Sequence, residues 1–242
     1  MTSITKLVGA ALLASAAMAG LMGVAYADQS VSGSVTLTSD YLFRGISQSD
    51  GNAAIQGSLD YANGTFYAGA WGSSINFGAI SPVDVSPLEL DLYAGVKPTT
   101  GVVSWDLGVI AYLYPNSTDL AGELDYYEAK AAASFTPGGG PLTFGGALYY
   151  SPDFTLETGT GWYGELNLGY KVNDAIALSA AYGHQDVETI GDYNTWNIGA
   201  RYSIDGFLLG LTYSDSDAFD NGFTVDETTS DGRFVFSIGR AL

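Results

Sequence analysis

The chain has 242 residues and no cysteine, so no disulfide supports it. Its 26 acidic residues against 8 basic ones give a net charge of −18, which argues against nucleic acid or anionic lipid headgroups as partners. Only 14% of residues are charged while 13% are aromatic, with 17 tyrosines and 32 glycines, a balance foreign to soluble domains and suited to a barrel with aromatic residues at both membrane interfaces.

Residues 1–27 read as an export signal. Lys6 supplies the positive charge, Leu7 to Val24 is apolar and small, and Ala25-Tyr26-Ala27 is an A-x-A cleavage site. The alternative is an uncleaved membrane anchor. No cysteine follows the apolar stretch, so this is not a lipoprotein signal. Residues 28–242 carry all the acidic residues and every basic one except Lys6, and contain no second apolar run long enough for a membrane helix.

From there the chain alternates apolar with polar or small residues in segments of about ten, as transmembrane strands do. Strands are expected near 32–44, 52–62, 65–77, 87–97, 101–114, 123–135, 141–151, 161–172, 175–185, 193–204, 207–215 and 232–242. The fifth sets Val103, Trp105, Leu107, Val109, Ala111 and Leu113 against Ser104, Asp106, Gly108, Ile110, Tyr112 and Tyr114. The eighth sets Trp162, Leu166, Leu168 and Tyr170 against Tyr163, Glu165, Asn167 and Lys171. The tenth sets Trp196, Ile198, Ala200, Tyr202 and Ile204 against Thr195, Asn197, Gly199, Arg201 and Ser203. Successive side chains of a strand point to opposite faces, so each strand has an apolar and a mixed polar face.

Every second connection is short: Asn63-Gly64, 98–100, Thr136 to Gly140, Asn173-Asp174 and Asp205-Gly206. The others, at 45–51, 78–86, 115–122, 152–160, 186–192 and 216–231, are long. That alternation predicts an all-β protein: one transmembrane antiparallel up-and-down β-barrel of about twelve strands, with the short turns and both termini on the periplasmic side of a bacterial outer membrane. Greek-key sandwiches and propellers do not produce it. Ten or fourteen strands are alternatives, because the second and ninth segments alternate weakly. Phe234, Phe236 and Ile238 form an amphipathic closing strand of the kind the barrel-assembly machinery reads, although the last residue is Leu242 and not an aromatic one.

The segment Ser39-Asp40-Tyr41-Leu42-Phe43-Arg44-Gly45-Ile46-Ser47-Gln48-Ser49, followed by Ala54-Ile55-Gln56-Gly57-Ser58-Leu59-Asp60-Tyr61, resembles the opening of the TorF family of exported proteobacterial barrels. Glu89-Leu90-Asp91-Leu92-Tyr93-Ala94-Gly95 and Tyr126-Tyr127-Glu128 support the resemblance. It implies an outer-membrane barrel classed as a porin by architecture, and supplies neither catalytic residues nor a substrate.

Placing the apolar faces toward lipid sends Asp40, Arg44, Gln56, Asp60, Asn76, Glu89, Asp91, Asp106, Glu128, Lys130, Glu165, Asn167 and Arg201 into the lumen, with Lys97 and Lys171 at the short-turn end. A charge facing hydrocarbon instead costs about 2–4 kcal/mol at the midplane. Two readings of this lumen follow. One is a water-filled path for small polar solutes, with cations or neutral molecules favoured by the acidic excess. The other is a barrel closed by Arg44, Lys130 and Arg201 paired with the carboxylates. Eight strands are filled by side chains and sixteen leave a channel, so twelve is intermediate. A closed structural, adhesive or receptor-type barrel would instead present its loops. The 216–231 loop carries Phe219 and Phe223, either to anchor a partner or to fold inward as a constriction.

No cofactor or metal is expected. Gly159-Thr160-Gly161-Trp162-Tyr163-Gly164 matches a nucleotide fingerprint, but a strand follows it where a helix is needed. Asp215, Asp217 and Asp220 lack the spacing and distal glutamate of a calcium loop. His184 is the one histidine, and no serine stands level with it on the neighbouring strands, so an enzyme is not expected. The expected partners are outer-membrane lipids, the assembly machinery, and small solutes or cations.

Overall fold

The computed structural model describes residues 29–77, 86–117, 123–223 and 226–242. The expected export signal at 1–27 and parts of the long connections, at 78–85, 118–122 and 224–225, lie outside the described residues. In chain order the strands are β1 (Ser30–Thr38), β2 (Leu42–Phe43), β3 (Ile46–Ser47), β4 (Ala54–Asn63), β5 (Phe66–Ser74), β6 (Leu88–Val96), β7 (Thr99–Thr100) and β8 (Val103–Leu113). They continue with β9 (Tyr126–Phe135), β10 (Leu142–Ser151), β11 (Gly161–Lys171), β12 (Ile176–Val187), β13 (Gly191–Ile204), β14 (Phe207–Ser216) and β15 (Arg233–Ala241). One short helix, α1, covers Glu227–Ser230.

Twelve of the described strands are long, from the nine residues of β1 to the fourteen of β13. Each pairs antiparallel with its neighbours in sequence, and β1 pairs with β15 from Ser34↔Ala241 to Thr38↔Ser237. The sheet therefore closes on itself and leaves no long strand with a free edge. β7 only extends the hairpin between β6 and β8. The short turns all lie at one rim, together with the start of β1 and the end of β15. The left-handed backbone of Asp205 and Gly206, φ 50° and 80°, gives the two-residue turn that suits the twist of β13 and β14.

The period-two pattern holds around the wall. Val35, Leu59, Leu92, Val109, Leu148, Leu166, Ile198, Leu211 and Phe236 point outward and are exposed. Their sequence neighbours Thr36, Tyr93, Tyr149 and Glu165 are buried in the lumen. The fifth, eighth and tenth predicted strands have the faces expected of them.

Two expectations are corrected. The strand predicted over 32–44 stops at Thr38, whose hydroxyl donates to the Asp40 carbonyl at 2.7 Å, and the chain then turns into the barrel. Asn76 lies beyond the end of β5 and is exposed; its backbone N–H donates to the Gln48 carbonyl at 2.8 Å. Pairing with the inserted loop takes the backbone there out of the strand, so Asn76 does not line the lumen.

Candidate functional site

β2 and β3 form a small hairpin that folds into the long-loop half of the lumen. Its tip is Arg44-Gly45, both left-handed at φ 49° and 86°. Asp40 fastens the base. One carboxylate oxygen accepts from Ser47 Oγ at 2.6 Å and Ser49 Oγ at 2.8 Å, and the other from Arg233 Nη1 of β15 at 2.9 Å.

The tip reaches across to the far wall. Arg44 Nη2 donates to Glu128 Oε2 of β9 at 2.6 Å, and Nη1 to Gln185 Oε1 of β12 at 2.7 Å. Its guanidinium carbon lies 4.3 Å from the Tyr163 ring centre and 4.6 Å from that of Phe43. Such a desolvated cation over aromatic faces is well stabilised by ring quadrupoles. Tyr112 also donates to Glu128, at 3.1 Å, and stacks on Tyr126 with ring centres 4.5 Å apart. Arg44 and Asp40 thus sit on an inserted hairpin and at its base, not on the barrel wall.

The rest of this half is filled as well. Tyr41 donates to Glu89 Oε1 at 2.9 Å and meets Trp71 edge to face. Asp91 stands two residues from Glu89 on the same face of β6, and its Oδ1 is buried without a hydrogen-bond partner among the described residues. Toward the short-turn rim, Asp106 accepts from Lys130 Nζ at 2.8 Å and from the Tyr67 hydroxyl at 2.7 Å, with Lys97 Nζ at 3.9 Å. Asp60 accepts from Tyr93 and from Ser58. Glu165 accepts from Tyr163 and Asn167, each at 3.0 Å. Lys171 stays at the rim and pairs with Asp174 at 2.7 Å.

The opposite half, along β13 to β15 and β1, carries mostly small polar residues, with Arg201 among them. A cavity of about 110 Å³ runs there, bounded by Thr36, Thr38, Thr195, Asn197, Thr212, Ser214 and Ser237. Leu42, Arg44 and Gly45 of the hairpin close over it. Thr195 and Arg201 both line it and lie six residues apart on β13, about 20 Å along the strand at the usual rise. The cavity therefore follows the barrel axis over much of its depth. The Arg201 side chain has no ion pair or hydrogen-bond partner among the described residues.

Alternation along the strands marks ten charged residues for the lumen but does not encode their partners. Nothing local in the sequence marks Gln185 and Arg233 as partners of the hairpin. In the last loop Phe223 folds inward onto Tyr193, with ring centres 4.5 Å apart, while Phe219 stays exposed. Asp217 accepts from the Asn194 backbone N–H at 2.5 Å and Asp215 from that of Ser216 at 2.9 Å. Among the described residues no group of three acidic or histidine side chains is placed to hold a metal ion. His184 faces outward with Nδ1 3.0 Å from Asn194 Oδ1.

A closed antiparallel barrel with an apolar exterior and a polar, partly filled interior is the architecture of porins. Over residues 24–242 the sequence matches the Gcw_chp model, described as a bacterial protein of unknown function, and the chain belongs to that family. No curated protein matches the sequence. Among solved structures the chain is similar to NanC porin, with a TM-score of 0.55 and 10% identity over 88% of this chain and 98% of that one. It is similar to KdgM porin with a TM-score of 0.54 and 7% identity over 87% and 96% of the two chains. At these identities the likeness is one of fold.

Proposed function

We propose that this protein is an outer-membrane channel through which small polar solutes diffuse passively along the β13 to β15 and β1 wall. The observation that carries the reading is the axial cavity beside the inserted hairpin: side chains fill one half of the lumen and stop short of the other. The apolar belt fits an outer-membrane location, and the resemblance to the TorF family fits the same reading. The bound hairpin narrows the path, so conductance should be small.

Single-channel recording of the refolded protein in a planar bilayer tests this. Stepwise openings support a channel. A folded barrel that stays silent at all voltages overturns it, and favours the second reading, a closed barrel that the hairpin seals and that acts through its loops.

A further inference from the structure

We propose that Arg201 makes the open half of the lumen a binding site for small hydroxycarboxylate anions. The inference deepens the channel reading and rests on it for the solute's route, though binding can be measured without conduction.

The acidic excess of the chain suggests cations, but the count of charges differs from the count of unengaged ones. Four charged side chains border the cavity. Asp40 is held by Arg233 and two serines. Arg44 is held by Glu128 and Gln185, and Glu165 by Tyr163 and Asn167. Arg201 alone among the four has no partner among the described residues. In register beside it stand Ala177 on β12 and Gly210 on β14, too small to fill the space around a guanidinium or to bond with it.

A guanidinium without a protein partner offers paired N–H donors in the fork geometry that a carboxylate accepts. One such cation balances a monoanion and leaves the second charge of a dianion uncompensated. The wall beyond it carries the hydroxyls of Thr36, Thr212 and Ser237, which donate and accept, and so suit a solute hydroxyl. A cavity of 110 Å³ holds several waters at roughly 10–15 Å³ each by this measure, enough for a three-carbon solute.

Saturation-transfer NMR on the lactate methyl group, with the full barrel refolded in detergent, reads this directly. Lactate should saturate the site, and Arg201→Gln should weaken its Kd at least ten-fold. Lys171→Gln, at the rim, should leave it unchanged. Propane-1,2-diol, the neutral analogue, should bind at least ten-fold more weakly than lactate to the unsubstituted protein, a comparison that stands even if Arg201→Gln does not fold. Equal binding of lactate and the diol, no saturable lactate signal, or an unchanged Kd in folded Arg201→Gln overturns the proposal. A barrel that binds lactate through Arg201 yet never conducts overturns the channel reading and leaves the site.

Discussion

Arg44 and Glu128, 84 residues apart in the chain, meet at 2.6 Å with each side chain only 1% exposed. The contact joins the first long loop to the far wall of the barrel, and so decides how much of the lumen is filled. Removing one member of a buried ion pair strands the other charge, which costs about 3–5 kcal/mol. Arg44→Gln should therefore unseat the hairpin while the barrel, held by its strand pairing, survives. The expected result is at least a doubling of single-channel conductance and new protease cleavage within residues 39–53. The Arg44→Gln/Glu128→Gln double variant should be milder than the sum of the two single changes, because no stranded charge is left.

Gly45 tests the same seat sterically. Its φ of +86° disfavours any side chain, and an added Cβ would clash with Thr195 Oγ1. Gly45→Val should open the hairpin as Arg44→Gln does, with no change in charge. Conductance that stays at the starting level would show that the hairpin does not limit the path.

The lipid-facing and lumen-facing sets are separable by neighbours on one strand. Leu166 points outward at mid-strand and is 71% exposed. Leu166→Arg should destabilise the barrel by about 2–4 kcal/mol, the cost of a cation at the bilayer midplane. Asn167→Arg, one residue on, should cost far less, since its side chain enters the lumen beside Glu165. Urea titrations of folding into lipid vesicles measure both.

At the long-loop rim, Glu188 Oε2 accepts from the Thr160 backbone N–H at 3.1 Å and from its hydroxyl at 2.9 Å. These bonds, the backbone one foremost, hold the carboxyl below the usual carboxylate range. A depressed folded value means that the tie is fully present above the ordinary glutamate pKa, near ~4.3, and is lost as the pH falls through the lower, folded value. Hydrogen exchange at the Thr160 amide, corrected for the intrinsic pH dependence, should lose its protection in that acid window. Glu188→Gln should reduce the protection at neutral pH.

The barrel itself was legible in the residues. Val103 to Tyr114 alternates so cleanly that both faces of β8 followed from it, and Asp205-Gly206 marked its hairpin without help from distant contacts. The inserted hairpin was not legible, since Tyr41 and Phe43 keep the two-residue period of Val35 and Leu37 and nothing local says that the chain turns inward at Asp40. That turn depends on Arg233, 193 residues away in sequence, and on Glu128 across the lumen.

Sequence alone therefore determined the closed sheet and its outward belt. A two-residue period and turn chemistry are local properties, and lipid on one side with water on the other forces them to be written strand by strand. The tertiary structure alone decided which inward charges neutralise one another, which half of the lumen the hairpin fills, and that the Arg201 side chain stays unengaged among the described residues. Those outcomes depend on distances between side chains on different strands, which alternation along any one strand does not encode.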